Sequence, residues 1–156
     1  MALIARLLII LWAMASAMPA SAGQFDRFAG RWAGWGQLGL SNGSVERMKC
    51  VTTYKVKNGG AGATQNFRCN SASYRFDAVV DYKASGGKLS GTWRERIYSI
   101  GGKVTGAYTR NSLRFIARSE TFLSRVKIST SQCSQAIDIR PRDIEVTSIS
   151  VSVKRC

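Results

Sequence analysis

Glu95 is the side chain on which chemistry would most depend. Within Lys88–Ser99 it shares the parity of Leu89, Trp93 and Ile97, so an extended backbone turns it toward the apolar face. A carboxylate there must find a partner or shift its pKa. Two readings stay open: a salt bridge or a place near a rim, or an anchor for a polar or cationic ligand. General acid catalysis would need a second inward carboxylate, and parity names none. Two other spacings are catalytic in form. Gly39-Leu40-Ser41-Asn42-Gly43 fits G-x-S-x-G, and Ser124-Arg125-Val126-Lys127 fits S-x-x-K. The first needs a strand–turn–helix and a histidine base, but the chain has no histidine and this segment separates two strand patterns. In the second, Ser124 and Lys127 fall on opposite faces of a strand. No catalytic residue is assigned, and the chain is expected not to be an enzyme.

Metal is the first use to weigh for four cysteines, Cys50, Cys69, Cys133 and Cys156. No two have C-x-x-C spacing and no histidine can join them, so neither a metal site nor another cofactor is expected. Two disulfides are expected instead, with three possible connectivities. Register selects one of them. If Asn58–Ala61 forms a four-residue loop between two strands, Cys50 faces Cys69 at a non-hydrogen-bonded pair, where Cα atoms approach to about 4.5 Å. Cys133 then pairs with Cys156. Both bonds read as staples of the fold.

The elements that would position these residues are strands. After Gly30 the chain alternates in short segments divided by turns such as Ser41-Asn42-Gly43-Ser44, Asn58-Gly59-Gly60, Ser85-Gly86-Gly87 and Asn111-Ser112. Ten strands are predicted: 30–40, 45–57, 63–70, 73–84, 88–99, 103–110, 113–119, 121–130, 135–140 and 144–154. A helical turn near Gln24–Phe28 is the one exception. In the last strand the apolar phase slips between Val146 and Ile149, which predicts a bulge near Thr147-Ser148. One-sided burial on consecutive antiparallel strands favours a meander closing into a small barrel of about 8–10 strands. A β-sandwich is the alternative. Trp32, Tyr74, Phe76, Tyr82, Trp93 and Phe115 are predicted to line its interior, and the chain length favours a filled interior over a roomy one. Trp32, Trp35, Tyr74, Trp93 and Glu95 are the candidate ligand contacts, with Trp35 as a rim aromatic. Arg94, Arg96, Arg114, Arg118, Arg125 and Lys127 have outward parity and compose a candidate anion-binding surface.

The ends and the charge say where such a barrel would work. Arg6, the apolar run Leu7–Ala17 and the small residues Ala20-Ser21-Ala22 have the order of a secretory signal peptide, cut after Ala22. One domain, residues 23–156, then remains, with no transmembrane segment. Its net charge is +13, since Arg6 is the one charged residue removed from a chain of +14. Such a field attracts polyanions and anionic membranes. Export argues against nucleic acid and for lipopolysaccharide, anionic lipid or acidic polysaccharide, in the periplasm or outside a Gram-negative cell.

Phe28-Ala29-Gly30-Arg31-Trp32 resembles the F-x-G-x-W start of lipocalin and calycin barrels, and Val80-Asp81-Tyr82 resembles their second signature. The resemblance implies a tryptophan plugging the barrel floor. Phe28–Cys50, Asn66–Asp77 and Leu89–Trp93 are similar to a group of small exported, uncharacterised envelope proteins of alphaproteobacteria. That likeness implies an envelope location and a β-rich fold, without an activity. The expected function is binding: an anionic envelope component on the basic outer surface, or a small apolar ligand in the barrel. A structural or interaction protein, serving envelope integrity or inhibiting a secreted protein, is the alternative.

Overall fold

The computed structural model describes residues 22–156; the expected signal peptide lies, apart from Ala22, outside the described residues. Ten strands form one closed antiparallel barrel. They are β1 (Gly30–Leu40), β2 (Val45–Lys57), β3 (Gly62–Asn70), β4 (Arg75–Ser85), β5 (Lys88–Glu95), β6 (Ile100–Thr109), β7 (Ser112–Arg118), β8 (Leu123–Thr130), β9 (Ser134–Arg142) and β10 (Val146–Lys154). Each strand pairs with its neighbours in sequence, and β1 pairs with β10 to close the ring. Closure satisfies both edges, so the alternative of an open sandwich is set aside.

Turn chemistry fixes this register. Asn58 and Gly59 take positive φ angles of 53° and 62°, which lets residues 58–61 turn the chain so that Lys57 opposes Gly62. Cys50 then faces Cys69, and the two are joined with Cα atoms 4.2 Å apart. Cys133 and Cys156 form the second bond. The expected bulge is present: Gly39 pairs with Ser148 and Leu40 with Val146, leaving Thr147 unopposed.

Several strand ends differ from expectation, β6 for one beginning at Ile100 rather than Lys103, and three of the differences bear on the open end. β5 stops at Glu95 rather than Ser99, because Ser99 adopts a positive φ of 54° and the Glu95 carboxylate accepts the Tyr98 N–H. Ile97 consequently sits in a turn and is half exposed instead of inward. Residues 119–122 form a turn rather than the start of β8, held by Ser119, whose Oγ accepts the Phe122 N–H. Ile144 lies before β10 and is exposed.

One end of the barrel is sealed from within. The turn over residues 24–28 places Phe25 and Phe28 in the core, both with no exposed surface. Phe25 stacks on Tyr82 and Phe28 packs against Tyr54; burying each is worth about 1.5–3 kcal/mol. Trp32 lies on the same floor, its Nε1 donating to the Phe28 carbonyl at 2.8 Å. The Arg155 guanidinium covers the indole at 4.3 Å and donates to the Ala29 and Gln132 carbonyls. Gly60 completes the seal: its φ is +92°, and a Cβ there would run into the backbone of Gly23.

Candidate functional site: a cavity at the open end of the barrel

Above the aromatic floor lies a belt of buried polar side chains. Tyr82 donates to Gln65 Oε1 at 2.6 Å, Gln65 Nε2 donates to Thr52 Oγ1 at 2.9 Å, and Tyr54 donates to Gln135 Oε1 at 3.0 Å. Burial pushes the Tyr54 and Tyr82 phenols up, so both stay protonated donors. The belt divides the interior. Toward β1 and β2 the space is filled by Leu38, Leu40, Met48 and the Cys50–Cys69 bond, all buried. On the other side a cavity of about 440 Å³ extends to the end opposite the floor.

Strands β3 to β10 wall this cavity with inward residues such as Phe67, Phe76, Val80, Trp93, Phe115 and Ile137, β6 contributing only its first residue, Ile100. Its mouth is made by turn residues: Tyr74, Tyr98, Phe122, Ile144 and Glu145. Tyr74 stacks parallel to Phe76 at 6.2 Å, and Phe122 meets Trp93 edge-on at 5.7 Å. The rim is also apolar outside. Of five exposed large hydrophobic residues among the described residues, Val45, Ile97, Tyr98 and Ile144 belong to this end, and Trp35 does not.

The ionisable groups in the lining are Glu95, Glu145 and tyrosines. Glu95 is buried, and each of its oxygens accepts a backbone N–H at 2.7 Å, from Asp77 and from Tyr98. It thus fixes the β5–β6 turn onto β4 while keeping a carboxylate in the cavity wall. Glu145 Oε2 accepts the Tyr74 hydroxyl at 2.7 Å, and that bond raises the Tyr74 phenol to about 12. Behind Tyr74, Glu46 accepts the Ser71 hydroxyl and the Ser73 N–H, which hold its carboxyl below the usual range.

The barrel has a solved relative in shape. An S-type phycobiliprotein lyase, CpeS, from Guillardia theta matches with a TM-score of 0.58 over 83% of this chain and 88% of that one. Sequence identity is 8%, so the likeness is one of fold. No protein-family model and no curated protein sequence matches this chain. The fold class is the expected one, a closed antiparallel meander of ten strands.

The candidate ligand contacts separate accordingly. Tyr74, Trp93 and Glu95 meet at the cavity. Trp32 does not, because the aromatic floor buries it. Trp35 is not a rim residue: it sits midway along β1 on the outer wall, with Arg47 stacked over it at 4.1 Å. The two indoles are three positions apart, an odd spacing that sends them to opposite faces of a strand. Gln65 and Phe67 share the inward parity of Cys69 and are further wall residues. Tyr98, Phe122 and Glu145 come from turns, where no periodicity announces them.

The interior is also roomier than expected at the open end. Ten strands enclose more cross-section than eight, and Ala78 and Ala117 put little volume into it.

The basic residues divide too. Arg114, Arg118, Arg125 and Lys127 are exposed and contiguous on the outer wall of β7 and β8. Arg114 faces Lys127 across one ladder, Arg125 faces Arg140 across the next, and Arg118 faces Lys103. Asp138 lies within that wall, opposite Lys127 and 3.9 Å from Arg140. Arg94 and Arg96 lie on β5 and the turn after it, where Arg96 pairs with Asp77 at 3.4 Å and Arg94 acts on Asp81. No helix among the described residues is long and apolar enough to cross a membrane.

Proposed function

We propose that this protein is a binding module of the bacterial envelope that holds a small, largely apolar ligand in the open end of its barrel. The cavity carries the reading: about 440 Å³ falls within the roughly 300–1,000 Å³ of small-molecule sites, apolar with few polar groups. Both Glu95 oxygens are engaged by backbone amides, which favours a positional role over proton transfer. The protein of similar shape is a phycobiliprotein lyase, and at 8% identity that activity is not carried over. Two disulfides suit an oxidising compartment and so support export to the periplasm or beyond.

The test is a titration of the oxidised protein with N-phenyl-1-naphthylamine, whose fluorescence rises in apolar surroundings. One saturable site is expected. Ala117→Trp fills the cavity from a wall position and should abolish the signal while leaving the circular dichroism native. Absence of binding, or equal binding by the filled variant, would overturn the reading.

A second reading rests on a different observation. Like charges directly opposite on a sheet are destabilising, yet Lys103–Arg118, Arg114–Lys127 and Arg125–Arg140 lie on successive ladders of one wall. A surface that tolerates three such pairs fits an anionic envelope component such as lipopolysaccharide, anionic lipid or acidic polysaccharide.

A further inference from the structure

We infer that the cavity selects amphiphiles whose polar end is a primary ammonium and discriminates against those ending in a carboxylate. The inference rests on the cavity reading and adds the head-group chemistry. Among the lining residues the two charged side chains are both carboxylates, Glu95 and Glu145, and both lie toward the mouth. Glu95 has its oxygens fixed by the Asp77 and Tyr98 amides, so its charge cannot swing away. Glu145 has Oε2 on the Tyr74 hydroxyl, while Oε1 meets no donor among the described residues. Glu46, behind Tyr74, adds a third negative charge to the same side.

The cations near this end do not cancel that arrangement. Arg75 lies between Tyr74 and Phe76, Arg118 follows Ala117 and Arg142 follows Pro141; those neighbours line the cavity, so alternation turns the three arginines outward. Arg96 is engaged with Asp77 and Asn66 outside the barrel. A ligand head at the mouth therefore meets carboxylates at short range, the buried Glu95 and the exposed Glu145, and the nearest charges outweigh the net positive field of the molecule. An ammonium gains a charge-assisted bond to Glu145. A carboxylate loses its water and meets like charge, with only neutral hydroxyls such as those of Tyr98 and Ser124 to donate to it.

The experiment compares dodecylamine, dodecanol and dodecanoate as competitors of the bound naphthylamine probe, at pH 7 and below their micelle concentrations. The amine should bind about tenfold or more tightly than the acid, with the alcohol between them. Glu145→Gln should shrink the amine-to-acid ratio at least threefold with little change for the alcohol, by roughly the loss of one exposed charge contact. Glu120→Gln, on the β7–β8 turn but outside the lining, should leave the ratio as it was. Salt should also compress the wild-type ratio, which supplies a readout independent of any variant. Failure of dodecanol to compete would sink the cavity reading itself. Competition by dodecanol with the acid as good as the amine, or a ratio indifferent to both Glu145→Gln and salt, would overturn the head-group inference alone.

Discussion

Tyr74 shows how one hydrogen bond at the mouth shapes the chemistry there. Its hydroxyl donates to Glu145, and the neutral phenol is thereby favoured up to about pH 12. The unfolded chain releases the same proton near pH 10. A raised pKa means the stabilisation is fully present below about pH 10 and is lost as pH climbs through about 12. In protein carrying ring-labelled tyrosine, the Tyr74 resonance should titrate near 12, and Glu145→Gln should bring it back toward 10. A wild-type midpoint near 10 would show that the bond does not persist in solution. At acid pH the sign reverses. Glu46 has a lowered pKa, so its contribution is present above the ordinary carboxylate value and fades as pH drops through the lowered one.

At the scale of elements, the strands were legible because turns and alternation agree. Asn58-Gly59-Gly60 placed the loop, the loop placed the register, and the register placed Cys50 against Cys69. The apolar phase slip of β10 likewise announced its bulge. The end of β5 was not legible, since it depends on Glu95 reaching the Asp77 amide of a different strand. The cavity was hidden for a related reason. Its volume follows from the number of strands around the ring and from small residues meeting across it, and neither is a local property.

The two disulfides serve different elements and should separate in experiment. Cys50–Cys69 crosses the buried β2–β3 ladder, whereas Cys133–Cys156 ties Arg155 and its neighbours to the β8–β9 turn beneath the floor. Replacing either pair by alanine should cost about 2–4 kcal/mol in urea unfolding. Cys133→Ala/Cys156→Ala should nevertheless keep naphthylamine affinity, because the floor and the mouth are opposite ends. A matching loss of affinity in folded protein would mean that the two ends are coupled.

The whole molecule carries its charge unevenly. A net charge of +14 over the chain coexists with carboxylates gathered inside the mouth and with cations crowded on the β6–β9 wall. If that wall holds polyanions, Arg114→Glu/Arg125→Glu/Lys127→Glu should abolish flotation with vesicles containing anionic phospholipid. Arg94→Glu/Arg96→Glu, at positions already beside Asp77 and Asp81, should preserve it. Binding should fall steeply as ionic strength passes about 0.1 M, where the screening length is near 10 Å. Unchanged flotation of the triple variant would rule the wall out.

The pairing of β1 with β10 has a consequence for how the molecule comes into being. Nine of its ten ladders join strands adjacent in sequence, and each can zip from a short turn. The tenth unites Gly34 with Val153 and Leu38 with Ile149, more than a hundred residues apart, so it carries the loop-closure entropy that the hairpins avoid. Until that seam shuts, the chain is a curled sheet with two raw edges open to any passing strand. Gly34 and Gly36 sit on the seam where a Cβ would strike the opposing backbone. A side chain there would act first on the nascent barrel, as a zipper that cannot close.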